Sequence, residues 1–207
     1  MILITGSTGF LGKHIMKELK AKPVTLGRSS QCDIVIDLSR EIPSLPKVDL
    51  VIHAAGKAHC VPKTESEKQS FFYVNVKGTE NLLKGLEKAG NPTQFVFISS
   101  VSVYGVISGN QIDEEHPLKA EDPYGKSKIL AEELVQDWCA KNNIICTILR
   151  LPLVIGKNPL GNLGAMIHGI RKGFYFNIAG GSAKKSMVLA DDISKILLVV
   201  AKVGAKP

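Results

Sequence analysis

The 207-residue chain has little cysteine: Cys32, Cys60, Cys139 and Cys146 show no CxxC spacing and no clustered histidines. That argues against a zinc site and a disulfide framework, and the expectation is reduced, buried thiols in a cytoplasmic protein with no metal. Long apolar runs are missing as well. The first, residues 1–5, breaks at once into Gly6-Ser7-Thr8-Gly9, which fits no signal peptide. The late run 196–201 lies between Lys195 and Lys202 and is too short to span a bilayer, so no membrane partner is expected. Low-complexity tracts and solenoid repeats are absent too.

What is present is globular material. Hydrophobic residues make up 44% of the chain and charged ones 22%, enough for one real core in a length too short for two full domains. Lys and Arg number 26 against 19 Asp and Glu, a formal charge of +7 that suits phosphate-bearing partners. The lysines are scattered rather than striped and no base-reading motif accompanies them, which argues against nucleic acid.

Continuous strand-like runs at residues 1–5, 24–26, 34–36, 50–53, 95–99 and 144–149 alternate with helical stretches at 11–20, 70–89 and 124–141. Runs without in/out alternation belong to strands covered on both faces, so the pattern predicts an α/β fold: a Rossmann-type doubly wound parallel sheet with helices on both faces. In the third helix Ile129, Leu130, Leu134 and Trp138 recur at three-to-four spacing and predict one buried stripe. Composition shifts after Pro152 toward Gly, Asn and Lys, with a short helix expected at 165–172 and another opening at Asp191-Asp192. The expected organisation is a nucleotide-binding domain over 1–155, a small, partial substrate region over 156–190, and a helix over 191–207 returning to the core. The last residues close no element, so the chain reads as truncated.

Three constellations carry chemistry. Gly6, Ser7, Thr8, Gly9, Phe10, Leu11 and Gly12 directly follow the first strand and open the first helix. Glycines let backbone approach a pyrophosphate, and the helix start aims unpaired N–H groups and a positive dipole end at it. After the second strand, where an acid would meet an NAD ribose, the chain has Gly27-Arg28-Ser29 and no acid before Asp33. Arg28 could hold a 2′-phosphate, which favours NADP(H) over NAD(H); a solvated loop arginine is the alternative. Third, Tyr124 and Lys128 lie four apart on a helix, downstream of Ser99 and Ser100 at a strand end. A free phenol titrates near 10 and is a poor base. A neighbouring ammonium is expected to lower that value while a serine shares the substrate oxygen.

With these residues in place, the sequence resembles the extended short-chain dehydrogenase/reductase family, the NAD(P)-dependent nucleotide-sugar epimerases and dehydratases. The matching segments are the glycine turn, Val51-Ile52-His53-Ala54-Ala55-Gly56, Asn75 with Gly78-Thr79, the stretch through Ser100 to Tyr104-Gly105, Tyr124 with Lys128, and Arg150-Leu151-Pro152. The resemblance implies that Ser100, Tyr124 and Lys128 are catalytic, and that Tyr124 exchanges the proton of the sugar oxygen during hydride transfer with the cofactor. It places Asp37 and Leu38 at the adenine, and Ala54, Ala55, Gly56, Asn75, Ser99 and Leu151 along the cofactor. Asn75 would brace the neighbouring strand or order active-site water. Ser102, Asn162 and Lys185 would join Ser100 at the substrate, with Lys185 replacing the family's bidentate arginine. Dehydratases of the family carry Asp-Glu after the catalytic Ser/Thr; here Val101-Ser102 stands there, which favours a 4-epimerase or 4-keto-sugar reductase. The alternative is a non-catalytic NAD(P)-binding sensor or scaffold of the same fold, which would be expected to have lost Tyr124 or Lys128; both are present. The Gly27-Arg28-Ser29 stretch resembles the dTDP-4-dehydrorhamnose reductase-like members. The implied partners are a UDP- or dTDP-linked sugar and a second copy, paired through a four-helix contact.

Overall fold

In a computed structural model, the structure describes residues 1–19, 21–58, 61–157, 161–174 and 184–203, without the side chains of residues 161, 162, 202 and 203. The elements in chain order are β1 (Ile2–Thr5), α1 (Phe10–Glu18), β2 (Val24–Gly27), β3 (Ile34–Val35), β4 (Leu50–His53), α2 (Glu65–Phe72), a π-helical turn (Tyr73–Lys77), α3 (Gly78–Ala89), β5 (Gln94–Ser100), a 3-10 turn (Val101–Tyr104), α4 (Pro123–Lys141), β6 (Ile145–Leu151), β7 (Leu153–Ile155), α5 (Gly161–Arg171), β8 (Met187–Leu189) and α6 (Ala190–Val203).

All six expected runs become strands of one sheet, ordered β3-β2-β1-β4-β5-β6 and parallel throughout. Their continuous hydrophobicity has a direct cause: neighbours along a strand point to opposite faces, and both faces are covered. Leu3, Val51, Phe95 and Phe97 pack with Leu82 and Leu86 of α3 and with Val135 and Trp138 of α4. Their neighbours Ile4, Ile52 and Val96 pack on the other side with Ile15 of α1 and with Ile193 and Leu197 of α6. The strand order reverses between β1 and β4, which opens a crevice at the carboxyl ends of β1, β4 and β5. Thr5 lies opposite His53 there, and Ser100 lies opposite Leu151.

Two expectations are corrected. The single helix over 70–89 is three pieces and starts earlier, because Thr64 builds a capping box: its hydroxyl accepts the Glu67 N–H and the Glu67 carboxylate accepts the Thr64 N–H. The wide π-helical turn that follows buries Asn75. The buried stripe of α4 is only partly the predicted one: Trp138 is buried and Ile129 and Leu134 are half-buried. Leu130 is 42% exposed, and the inner face carries Lys128, Ala131, Glu132, Val135, Trp138 and Cys139. Lys128 and Glu132 tolerate burial because both have partners in the interior. Finally, β7 and β8 pair in parallel as a separate two-stranded sheet that periodicity did not reveal, since three-residue strands carry too little pattern to read.

Cys32, Cys139 and Cys146 are free thiols, while Cys60 falls outside the described residues. Among the described residues no His/Cys/Asp/Glu group is placed to hold a metal, and no helix is long and apolar enough to cross a membrane.

Candidate active site

The glycine turn between β1 and α1 is built from backbone. Gly6 sits at φ +73°, and a Cβ there would lie 2.7 Å from the Ala54 carbonyl carbon and from the Ala55 nitrogen. A Cβ on Gly12 would lie 2.0 Å from the Gly6 oxygen, so the helix start can close on the turn only without side chains. Gly9 is the N-cap of α1 and makes no side-chain cap, which leaves the first helical N–H groups for an anion. Ser7 is buried against Cys32, Thr8 is exposed, Phe10 stacks edge-on with His14, and Leu11 packs into the core shared with α6. The cradle that a Cβ would fill and the uncapped helix start fit a diphosphate.

Beyond β2, Arg28 is exposed. The first acid after it, Asp33, accepts from the Thr25 hydroxyl at 2.7 Å and from the Thr25 N–H at 2.9 Å, and these bonds hold its carboxyl below the usual range. Its carboxylate is thereby tied to β2. Asp37 accepts from the Ser39 hydroxyl and N–H, which lower its pKa, with Arg28 and Arg40 adding smaller effects. Leu38 is a core residue whose carbonyl accepts from Asn81 at 2.7 Å. Asp37 and Leu38 form a strand-terminal turn over the core, with the Leu38 side chain packed inward.

Ala54 and Ala55 are half-buried and Gly56 is open; a Cβ on Gly56 would meet Asn75 Oδ1 at 3.2 Å and Lys128 Nζ at 4.0 Å. Of the two roles weighed for Asn75, the structure displays bracing. Its Oδ1 accepts the Lys57 N–H at 2.7 Å, and its Nδ2 donates to the Lys57 carbonyl at 3.1 Å and to Ser127 Oγ at 2.8 Å. The strip after β4 is thus tied to α4.

At the end of β5, Ser100 caps the 3-10 turn: its Oγ accepts the Ser102 N–H at 3.2 Å and donates to Ser102 Oγ at 3.1 Å. Tyr124 stands in the first turn of α4, which Pro123 opens and Asp122 caps by accepting the Gly125 N–H. Burial raises the Tyr124 pKa above 10, a hydrogen bond with Ser100 pulls it down, and the Asp122 charge pushes it up again. Lys128 donates to the Ile98 carbonyl at 2.6 Å and lies 4.1 Å from the centre of the Phe97 ring. Burial lowers its amine to about 7, opposed by the Glu132 charge. The expectation that Lys128 acidifies Tyr124 is therefore corrected. Burial outweighs the lowering influence and holds the phenol above its ordinary value, and the amine is held from the strand side by the Ile98 carbonyl and the Phe97 ring. Leu151 closes β6 half-buried beside Ser100.

Ser99 is buried, and its hydroxyl donates inward to Glu132. That carboxylate, 1% exposed, is gripped by Arg150 through Nε at 3.1 Å and Nη2 at 2.9 Å, while Nη1 reaches Tyr104 Oη at 3.2 Å and the Glu114 carbonyl at 3.0 Å. Sequence reasoning missed this pair. Its signals were an acid one turn beyond Lys128 on the same face and a lone arginine ending an apolar strand. Of the expected substrate residues, Ser102 is half-buried beside Ser100 and Lys185 is exposed just before β8; Asn162 lies in α5 with its side chain outside the described residues.

The comparisons with known proteins fall on this frame. The chain is 29% identical over 95% of its length to the N-acetyl-alpha-D-glucosaminyl-diphospho-ditrans,octacis-undecaprenol 4-epimerase of Escherichia coli O157:H7, covering 61% of that protein. It is 34% identical over 66% of its length to the GDP-6-deoxy-D-mannose reductase of Pseudomonas aeruginosa, covering 46% of it. Among solved structures, RMD from Pseudomonas aeruginosa complexed with NADPH superposes on 99% of the chain, with TM-score 0.75 and 26% identity, and the match covers 75% of that structure. The chain thus spans about half to three-fifths of the length of these two curated relatives. Residues 2–207 match one family description throughout, and with the sheet order and the glycine turn in agreement, the chain belongs to the NAD dependent epimerase/dehydratase family.

Proposed function

We propose that this protein is an NAD(P)-dependent oxidoreductase acting at a hydroxyl or keto carbon of a nucleotide sugar, as a 4-epimerase or 4-keto-sugar reductase. The observation that carries the reading is the placement of Ser100 at the end of β5 and of Tyr124 in the first turn of α4, one helical turn before buried Lys128, in the same parallel sheet whose β1 ends in the glycine turn. Gly6, Gly9, Gly12 and the start of α1 would hold the diphosphate, Ala54 to Gly56 would lie along the cofactor, and Lys128 would take the nicotinamide ribose. A bound nicotinamide would supply the two-electron redox capacity.

The residues supply placement and the proton. A phenol raised above 10 is protonated at neutral pH, which suits donation to a carbonyl oxygen and hence the reductive direction. Ser100 would hold that oxygen through its hydroxyl. Elimination of water needs an acid and a base beyond Tyr124, and Val101-Ser102 offers no carboxyl at that place, so 4,6-dehydration is not proposed. Exposed Arg28, with Asp33 tied to Thr25, favours NADP(H) over NAD(H), and the similar Pseudomonas aeruginosa structure was solved with NADPH. The carrier is proposed to be UDP or dTDP. The E. coli relative is named for an undecaprenyl-diphosphate sugar, so a lipid-linked sugar diphosphate belongs in the assay. A homodimer is proposed through α2, the π-helical turn, α3 and α4, where Tyr73 and Leu130 stand exposed.

Titration with NADPH and NADH tests the site: NADPH should bind more tightly, and equal or reversed affinity removes Arg28 from the 2′-phosphate. A monomeric mass by light scattering at micromolar concentration would count against the dimer.

A further inference from the structure

The geometry points to His53 as a positioning residue: a neutral imidazole, protonated on Nε2, that ties the cofactor strip at Ala55 to the π-helical turn carrying Asn75 through one continuous file of hydrogen bonds. This inference rests on the dinucleotide site proposed above. The file runs from the Ala55 N–H to Thr5 Oγ1 (3.1 Å), from Thr5 Oγ1 to His53 Nδ1 (2.6 Å), from His53 Nε2 to Thr79 Oγ1 (2.9 Å), and from Thr79 Oγ1 to the Asn75 carbonyl (2.6 Å).

Both ends are backbone, and that fixes the direction. An N–H only donates and a carbonyl only accepts. The single Thr79 proton goes to the Asn75 carbonyl, so Thr79 Oγ1 accepts from Nε2–H. Thr5 Oγ1 accepts from Ala55, so its own proton goes to Nδ1. A proton on Nδ1, in either the other tautomer or the imidazolium, would leave the Thr5 hydroxyl proton without an acceptor in the file. Thr5, His53 and Thr79 are all 2% exposed or less, so water does not replace a lost partner. The surroundings also oppose a second proton. Phe95 and Phe97 flank the ring, and burial together with the charge of Lys128 holds its pKa down to about 3.

The two ends of the file reach the two halves of the site. Ala54 and Ala55 are the backbone on which Gly6 rests, so the Ala55 end sets the glycine turn. Asn75 holds Lys57 and, through Ser127, the helix of Tyr124 and Lys128, so the Asn75 end sets the catalytic side. His53 therefore keeps the two halves in one register.

The test separates the halves. Nitrogen-15 NMR of the labelled protein should show the His53 proton on Nε2. In His53→Asn, Oδ1 takes the place of Nδ1 and keeps the Thr5 acceptor; in His53→Gln, the amide nitrogen takes the place of Nε2 and keeps the Thr79 donor. His53→Gln should speed amide exchange at Ala55 and weaken NADPH binding, each about tenfold, the loss of roughly one hydrogen bond. Exchange at Lys57 should stay near the parent in that variant. His53→Asn should speed exchange at Lys57 and spare Ala55. A proton on Nδ1, or equal acceleration at both amides in both variants, overturns the inference whether or not a dinucleotide binds. Failure of the parent protein to bind NADPH and NADH overturns the proposed function instead, and the exchange pattern still decides the relay.

Discussion

The two sides of the crevice are made differently. The β1–α1 side is backbone: three glycines packed so closely that a Cβ on Gly6 or Gly12 would fall inside its neighbours, ahead of a helix start with no side-chain cap. The β5–α4 side is side chain: Ser100, Tyr124 and Lys128, supported by Glu132, Arg150 and Asn75. The first side can only bind, because it offers N–H groups and shape. The second can move a proton, and its properties follow from what surrounds each group. The contrast explains why burial dominates Tyr124 and Lys128, pushing one pKa up and the other down, while the glycine turn has nothing to titrate.

Substitutions can break that contrast. The largest expected effect is on the side-chain half: Tyr124→Phe should cut turnover by about 10²–10⁴-fold while dinucleotide affinity stays near the parent, and preserved turnover would exclude Tyr124 as the proton donor. Glu132→Ala leaves Arg150 facing an empty partner site and should destabilise by about 3 kcal/mol in urea melts. Adding Arg150→Met should recover part of that loss; no recovery would mean that the pair does not act as a unit. On the backbone half, Gly12→Ala should cost about 1–3 kcal/mol of stability and abolish dinucleotide binding, checked by melting and by titration.

A smaller effect concerns acid. His53 stays neutral down to about pH 3, whereas an unfolded histidine protonates near 6.5. Its contribution to stability is therefore complete above pH 6.5 and is lost as the pH falls toward 3. His53→Gln should flatten the fall of the urea midpoint below pH 6.5; an unchanged slope would mean that His53 titrates normally. Smallest of all, Leu130→Ala on the exposed face of α4 should change monomer stability by under about 0.5 kcal/mol.

Legibility in the sequence follows the same division. The six strands, their common direction and the glycine turn could be read because each is a local pattern: an apolar run, or the absence of a Cβ at fixed spacing. Ser100, Tyr124 and Lys128 could also be nominated for the candidate site from spacing and resemblance. Their surroundings could not be read. Spacing turned Leu130 inward and gave no sign that Glu132 is buried, because the partner that permits a buried carboxylate, Arg150, arrives from a strand eighteen residues later. Spacing placed an ammonium beside the phenol, but gave no sign of the carbonyl and the aromatic ring on β5 that hold that amine. The early start of α2 was written in Thr64 and Glu67, a capping signature passed over in a stretch with little hydrophobic pattern. The pairing of β7 with β8 joins segments more than thirty residues apart, beyond the reach of any local signal.

The most direct test of the whole account is a crystal structure of this chain with NADPH. The diphosphate should lie against Gly6, Gly9, Gly12 and the start of α1, with the nicotinamide ring beside Tyr124 and Lys128. A dinucleotide bound elsewhere, or lying with its nicotinamide away from Tyr124, would contradict it.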